Sequence, residues 1–475
     1  MIIFICMDYD KLHRRINHMI EYETDDFFVN INLKPEIADK LLEYQFMHVF
    51  NLMTAFRSHN IVLDGSDMGT GKTYTAIALC KQLNIKPFII CPKPVISNWR
   101  YVCDAFNVTP LGIVNYECIK AGKYYDKKGN RVDCNFIEVR EINKNNIEFK
   151  WKLPRYSVVI FDEVHKCKNT KSQNGKLLLS TKDLWKVLML SATLSDKPET
   201  FHIYGYMLGC YKNIRQASNW IHGMLLEDKS NLSSKPQLSA INKYIYPERG
   251  SRMRISELGD KFPSNQISAD CYYIDEDKRE LVNNSFKKIN ELSTKLNSAL
   301  ETNNNAEILK ELTKARMLLE ELKISIIEEM ANDYIENGYN VVIFVNFNNT
   351  INKLSKILNT DCIVNGGVTD EDRNNNIEKF QSNKSNIIIC NISIASGISL
   401  HDLHGVPRVS IISPSFSSYD LIQSLGRICR AGSKTPALQR IIYCANTCET
   451  IICNRLKEKL KFLSKLNDSD LINID

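Results

Sequence analysis

Ten short apolar runs, each ending in small or polar residues, constrain this chain more than any other feature. Five come early: "NIVLDG" (60–65), "PFIICP" (87–92), "GIVNYE" (112–117), "YSVVIFDEVH" (156–165) and "KVLMLSAT" (186–193). Five come late: "VVIFVNF" (341–347), "DCIVNGG" (361–367), "NIIICN" (386–391), "RVSIISP" (408–414) and "RIIYCAN" (440–446). Helical spacing falls between several of them. Continuous Val/Ile/Leu runs alternating with helices predict a parallel sheet covered on both faces. The rhythm stops near residue 215 and returns near 340. From about Asp275 to Ile335 the spacing is mostly helical, without proline or glycine. Two α/β domains with a largely helical stretch between them are therefore expected. A chain of 475 residues is too long for one ordinary core, which agrees. Asn-rich pieces such as "ETNNNAE" (301–307) read as exposed turns between helices.

Composition narrows the class. The chain is 44% hydrophobic and 24% charged, and no apolar run approaches the ~20 residues of a membrane helix. The opening "MIIFIC" is followed at once by acid in "MDYD", without a cleavage pattern, and reads as a buried first strand. The 15 cysteines show no paired framework, which predicts a reducing, intracellular setting. Cys444, Cys448 and Cys453 cluster without the spacing of a zinc ribbon and read as structural. A net charge of +6 permits nucleic acid as a partner without demanding it. The basic run "RLKEKLKFLSK" (455–465) alternates with leucines and reads as a solvated amphipathic helix.

Two motifs carry chemistry. "GSDMGTGKTYTAIALC" (65–80) follows a strand and opens a helix, the context of a phosphate-binding loop. Gly69 and Gly71 let backbone N–H groups of the loop, Thr70 included, approach phosphate oxygens. Lys72 would reach the β- and γ-phosphates of ATP, and Thr73 would place a hydroxyl on Mg²⁺. "DEVH" (162–165) puts two adjacent carboxylates at the end of a buried strand, which is costly unless a cation or a reaction uses them. Asp162 would hold Mg²⁺ through water. Glu163 would orient and deprotonate the attacking water, and His165 would touch the next motif.

"GTGKT", "DEVH" and "SAT" (191–193), in that order at strand ends, resemble superfamily-two helicases. "DMGTGKT", "CPKPVISNW" (91–99), "NYE" (115–117) and "DEVHKCKN" (162–169) resemble the Swi/Snf-type branch and the related ATPases of large cytoplasmic DNA viruses. "LLEYQ" (41–45) is similar to the family's glutamine motif, which implies Gln45 at the adenine edge. "NGGVTDEDRNNNIEKF" (365–380), "ASGISL" (395–400) and "QSLGRICRAG" (423–432) extend the likeness, which runs from about residue 35 to 445. Departures are Ser66, where the branch usually has an acid, and "GSK" (432–434) after the last arginine.

The resemblance implies two RecA-like parallel-sheet domains in tandem with a mainly helical insertion. The boundaries read as an N-terminal extension (1–34), an ATP-binding domain (35–215), a linker and helical insertion (216–335) and a C-terminal helicase domain (336–475). "RMRISELGDKFPS" (252–264) would lead back to the second domain, and 312–340 would form one long helix feeding its first strand. Gln423, Arg427 and Arg430 would act on ATP from the second domain when the cleft closes; arginines three apart on a helix share a face. His165, Ser191, Thr193 and Gly397 would couple ATP to polymer. Trp99 reads as core more readily than as a base-stacking residue.

The expected activity is an ATP-dependent translocase or helicase on nucleic acid, with duplex DNA favoured over RNA, in transcription or genome handling. A polymerase or transcription factor is a possible partner, and no membrane is involved. The site of action would be cytoplasmic, in a viral factory or virion, if the source is viral, and nuclear otherwise. A strand-separating RNA helicase and an inactive scaffold subunit are the alternatives; Lys72, Asp162, Glu163 and Arg430 speak against the scaffold.

Overall fold

The computed structural model describes residues 33–126, 129–143, 146–192, 194, 201–227, 239–258, 262–273, 280, 283–284, 304–394, 397–414, 418–444, 447 and 449. The apolar runs become strands of two separate parallel sheets. The first contains β1 (Ile61–Asp64), β2 (Lys86–Cys91) and β3 (Gly112–Asn115). Two antiparallel hairpins follow, β4 (Lys123–Tyr125) with β5 (Arg131–Asp133) and β6 (Ile137–Asn143) with β7 (Asn146–Trp151). The first sheet then resumes with β8 (Ser157–Asp162), β9 (Val187–Leu190) and the short β10 (Gly250–Ser251). Its order is β10-β1-β9-β8-β2-β3, parallel throughout.

The second sheet is built from β11 (Asn265–Tyr272), β12 (Asn340–Val345), β13 (Ile363–Val364), β14 (Ile387–Asn391), β15 (Arg408–Ile412) and β16 (Ala437–Cys444). Its order is β11-β16-β15-β12-β14-β13, again parallel. Both sheets are apolar on both faces, as continuous runs require. In β1, Ile61 and Leu63 join one core and Val62 the other. In β12, Val342 and Phe344 lie on one side and Val341, Ile343 and Val345 on the other. Among the described residues no helix is long and apolar enough to cross a membrane.

The segment 216–335 differs from a plain linker and helical insertion. Gly250–Ser251 adds an edge strand to the first sheet, and Asn265–Tyr272 adds one to the second. Each domain thus recruits part of the connection as a strand, because a sheet edge offers unpaired backbone groups that the passing chain satisfies. The two hairpins of 123–151 also lack a counterpart in the sequence reading. Their buried Phe149 and Ile137 pack onto the first core, while Glu138, Arg140 and Lys152 pair on the surface.

The long helix expected over 312–340 is two helices, Asn304–Leu322 and Ile324–Glu336, and it takes in residues read as an exposed turn. The break falls at Lys323, which is almost fully buried. Its Nζ lies 2.5 Å from Glu449 Oε1 and 2.8 Å from Ser413 Oγ. Glu449 Oε2 in turn accepts the Cys444 amide at 2.8 Å. The N-terminal run, Cys448, Cys453 and the basic run 455–465 lie outside the described residues.

Removing one partner of a buried pair leaves an uncompensated charge. Lys323→Met should therefore lower unfolding stability by about 3–5 kcal/mol in urea titrations. Adding Glu449→Gln should recover a substantial part of that loss; no loss in the single variant would contradict the ion pair.

Candidate active site between the two sheets

The loop between β1 and the helix Lys72–Leu83 sits at the carboxyl end of the first sheet, where open α/β sheets bind ligands. Gly69 and Gly71 have φ of +80° and +94°, a region that side chains other than glycine avoid. Lys72 Nζ donates to the carbonyls of Ser66 and Asp67 at 2.8 and 2.9 Å. Burial pulls its pKa down, against the carboxylates of Asp64, Glu163 and Asp162. Thr73 lies in the first helical turn.

Gln45, on the helix Glu43–Ser58, contacts the phosphate loop. Its Oε1 accepts the Leu42 amide at 2.9 Å and its Nε2 donates to Thr70 O at 2.8 Å. Tyr44 OH donates to the same carbonyl at 3.3 Å. Gln45 thus braces the phosphate loop directly.

Behind the loop lies a buried polar junction that no motif announces. His48 sits one turn after Gln45. Its Nε2 is 2.9 Å from Asp64 Oδ2 and 3.3 Å from Ser66 Oγ, and its Nδ1 is 2.9 Å from Ser251 Oγ. Burial works to raise the pKa of Asp64, but the His48 contact outweighs it and holds the carboxyl below its usual range. Ser66 Oγ also accepts the Met253 amide at 2.9 Å, which gives the unusual serine a role. Arg252 Nη2 donates to Asp67 Oδ1 at 2.8 Å. The connection to the second domain is therefore sewn to the phosphate loop. The i, i+3 spacing of Gln45 and His48 was the available signal.

β8 ends on the acidic pair. Trp99, fully buried, donates its indole N–H to Asp162 Oδ2 at 2.9 Å. Tyr116 OH donates to the Asp162 carbonyl at 2.8 Å. Glu163 has φ +55°, a strained value for a non-glycine residue. His165 Nδ1 lies 3.2 Å from Glu163 Oε2 and 3.2 Å from Ser191 Oγ. Thr193 lies outside the described residues.

The two carboxyls separate in character. Burial, then the neighbouring Glu163 charge, pushes Asp162 well above the usual carboxylate range, although Trp99 and Lys72 oppose this. Burial would raise Glu163 too, but His165, Lys72 and Arg427 prevail and hold it below that range. Glu163 is thus the ionised member near neutrality. The Asp162 carboxylate at the end of β8 and the Thr73 hydroxyl in the first turn of the phosphate-loop helix are hard oxygen donors of the kind Mg²⁺ takes.

The second domain closes the site. Gln423 Nε2 donates to Glu163 Oε1 at 3.1 Å. Gln423 Oε1 accepts from Arg427 Nη2, and Arg427 Nε donates to Gln423 O at 2.7 Å. Arg427 Nη1 and Arg430 Nη2 both donate to Ile398 O at 3.1 Å. Burial lowers Arg427 to about 9 and Arg430 to about 10, with Arg430 adding to the effect on Arg427, so both remain cationic at neutral pH. The arginines do not share a helix face: the helix is Ser418–Leu425, and both follow it in a turn. Gly426 begins that turn, and a side chain there would meet Met68 Cβ at 2.8 Å. The backbones of the two domains touch, since Ala431 N donates to Gly69 O at 3.1 Å. Gly397, with φ +89°, packs against Val95.

The comparisons with known proteins fit this geometry. Residues 39–196 match the model of the type III restriction enzyme res subunit, and residues 321–432 match the helicase conserved C-terminal domain. A protein of Acanthamoeba polyphaga mimivirus, described as an ATP-dependent RNA helicase, is 36% identical over 468 residues, covering 94% of this chain and 87% of its own. The chain is a superfamily-two helicase. A Drosophila melanogaster SWI/SNF-related regulator of chromatin, subfamily A-like protein 1, is 22% identical over 92% of this helicase and 57% of its own length. Among solved structures, a Sulfolobus solfataricus SWI2/SNF2 ATPase core with dsDNA covers 92% of this chain and 94% of its own, at 16% identity and a TM-score of 0.35. S. cerevisiae Dbp5 bound to RNA and ADP BeF3 covers 92% and 93%, at 12% identity and a TM-score of 0.49. As a member of that family this helicase is a nucleic-acid-dependent ATPase, and its two parallel sheets are the family's tandem RecA-like domains.

Gly69 tests the closed interface. A Cβ there would lie 2.9 Å from Cys429 O and 3.1 Å from the Arg430 Cα. Gly69→Ala should push the domains apart, seen as a larger radius of gyration in small-angle scattering, and lower ATP turnover by about 100-fold through misplacement. An unchanged radius and turnover would contradict the contact.

Proposed function

We propose that this helicase couples ATP hydrolysis to movement along duplex DNA, and that hydrolysis awaits closure of the second domain onto the phosphate loop. One observation carries the closure reading. Glu163, the residue suited to orient water, receives a 3.1 Å hydrogen bond from Gln423 of the other domain. A base held from both sides is positioned only when the domains meet.

In this reading Lys72 exchanges its bonds to Ser66 and Asp67 for the β- and γ-phosphates. The loop amides around Gly69, Thr70 and Gly71 hold the remaining phosphate oxygens. Thr73 and Asp162 would hold Mg²⁺, which supplies charge neutralisation at the phosphates. Glu163 orients the attacking water and takes its proton, and the neighbouring His165 and Lys72 favour the ionised form that can accept one. Arg427 and Arg430 face charge developing on the γ-phosphate, a contribution of about 10³–10⁵ in rate in related chemistry. Gln45 keeps the loop in register beside the base. The His165–Ser191 contact and the Gly397–Val95 contact are the routes by which the nucleotide and the polymer sense each other, with Thr193 assigned to the same role.

The duplex-DNA preference rests on "DEVHKCKN" and "CPKPVISNW", which resemble duplex-tracking ATPases, and on the similarity to the Drosophila chromatin regulator over most of this chain. Backbone amides and hydroxyls would hold phosphates without reading bases, so choice of site would fall to a partner such as a polymerase or transcription factor. RNA is the second reading, favoured by the description of the mimivirus relative.

Lys72→Ala should abolish nucleotide binding, whereas Glu163→Gln should bind a fluorescent ATP analogue normally and lose hydrolysis. A Glu163→Gln protein turning over ATP at the parent rate would remove the assignment. ATP turnover measured with duplex DNA, single-stranded DNA and RNA at matched salt should be stimulated most by duplex DNA. That stimulation should fall steeply as salt rises. Equal or greater stimulation by single-stranded RNA would move the RNA reading to first place.

A further inference from the structure

The segment Lys93–Trp99 touches the second domain at one end and the acidic pair at the other. It begins as a 3-10 turn, Lys93–Val95, and runs straight into the helix Ile96–Ala105. Lys93 Nζ lies 2.8 Å from Asp370 Oδ2, the first residue of a helix in the second domain. Arg373 holds the other oxygen of Asp370 at 3.0 Å, so the carboxylate is oriented toward Lys93. Two residues on, Val95 packs against Gly397 so closely that a Cβ on the glycine would collide with it. One helical turn further, Trp99 donates to Asp162 Oδ2 at 2.9 Å.

Trp99 is the only one of these residues that reaches the acidic pair, and its geometry leaves little slack. The indole is fully buried. Breaking its bond would leave a buried donor unsatisfied. The Asp162 main chain is pinned separately by Tyr116 OH at 2.8 Å. With the backbone fixed, the indole sets the rotation of the carboxylate. The distance from Lys93 to Trp99 is only ~9 Å of helical rise, so displacement at one end reaches the other with little loss.

We propose that Trp99 is a positioning residue for Asp162, and that residues 93–99 transmit closure of the second domain onto that carboxylate. The inference rests on the reading of Asp162 as a Mg²⁺-holding group. Partners behind a metal ligand typically change metal affinity by about 10–100-fold when removed. Closure engages Lys93 with Asp370 and Val95 with Gly397, the helix start is held, and the indole keeps Asp162 in the orientation that serves the cation. Opening releases the segment and loosens the carboxylate.

The test uses the full chain without polymer, so that polymer contacts do not enter. The readout is the Mg²⁺ concentration that half-saturates binding of a fluorescent ATP analogue, measured beside turnover and melting temperature. Trp99→Phe keeps a ring and removes the donor. It should raise the half-saturating Mg²⁺ about tenfold and lower kcat by a similar factor, with metal-free nucleotide affinity within about twofold. If Trp99→Phe does not fold, benzothienylalanine at position 99 keeps the indole outline and replaces N–H by sulfur, and the same shift is expected. Lys93→Glu should shift the Mg²⁺ requirement in the same direction, and Lys93→Glu with Asp370→Lys should restore it. A folded Trp99 variant with the parent Mg²⁺ dependence overturns the positioning role. A Lys93→Glu protein with the parent dependence overturns the relay. Asp162→Asn separates the two levels. If it too leaves the dependence unchanged, the reading of Asp162 falls with the inference; if it raises or abolishes the dependence while Trp99→Phe keeps the parent value, the inference alone falls.

Discussion

Two adjacent carboxylates buried at the end of one strand are the constraint around which this structure is arranged. Asp162 and Glu163 cannot both lose their water cheaply, and neighbours from both domains offset the cost. Trp99 and Tyr116 hold Asp162 from within the first domain. His165 and the charge of Lys72 favour an ionised Glu163, and Gln423, backed by Arg427, reaches it from the second domain. The result is asymmetry: one carboxyl drawn toward protonation and one held ionised. A pair of identical groups thereby becomes a candidate cation ligand and a candidate base.

The phosphate loop is held with comparable thoroughness. Gln45 grips Thr70, His48 ties Asp64 to Ser251, Ser66 binds Met253, and Ala431 donates to Gly69. These contacts come from the helix before the loop, the interdomain connection and the second domain. Among the described residues, the helix before the loop, the interdomain connection and the second domain are each bonded to the loop or to its support. The loop is therefore poised to register domain motion, because changing the domain angle must stretch or break a named bond beside the phosphates.

The two arginines illustrate how closure and charge combine. Their guanidiniums share the Ile398 carbonyl and lie in a buried interface, where charge interactions are stronger than in water. Placing them in a turn rather than on the preceding helix lets Gly426 pack against Met68 and brings residues 429–431 onto Gly69. A continued helix would have carried them past the loop.

The sequence by itself determined the parallel sheets, since runs such as "VVIF" (158–161) and "VVIFV" (341–345) are apolar at every position and must be covered on both faces. It also determined that "GTGKT" and "DEVH" follow strands, because each comes after a short apolar run, "IVL" (61–63) and "VVIF" (158–161). Short-range chemistry of this kind is written in consecutive residues. What depended on tertiary structure was every contact between residues far apart in the chain. Lys323, at the split of the long helix, finds its partner in Glu449, 126 residues away. The recruitment of 250–251 and 265–272 as edge strands follows from which sheet edges were open. The hold of Gln45 on Thr70 and the bond from the core residue Trp99 to Asp162 were also decided there, because a side chain's hydrogen-bond partner is set by what folding brings within about 3 Å. Local periodicity carries no record of that distance.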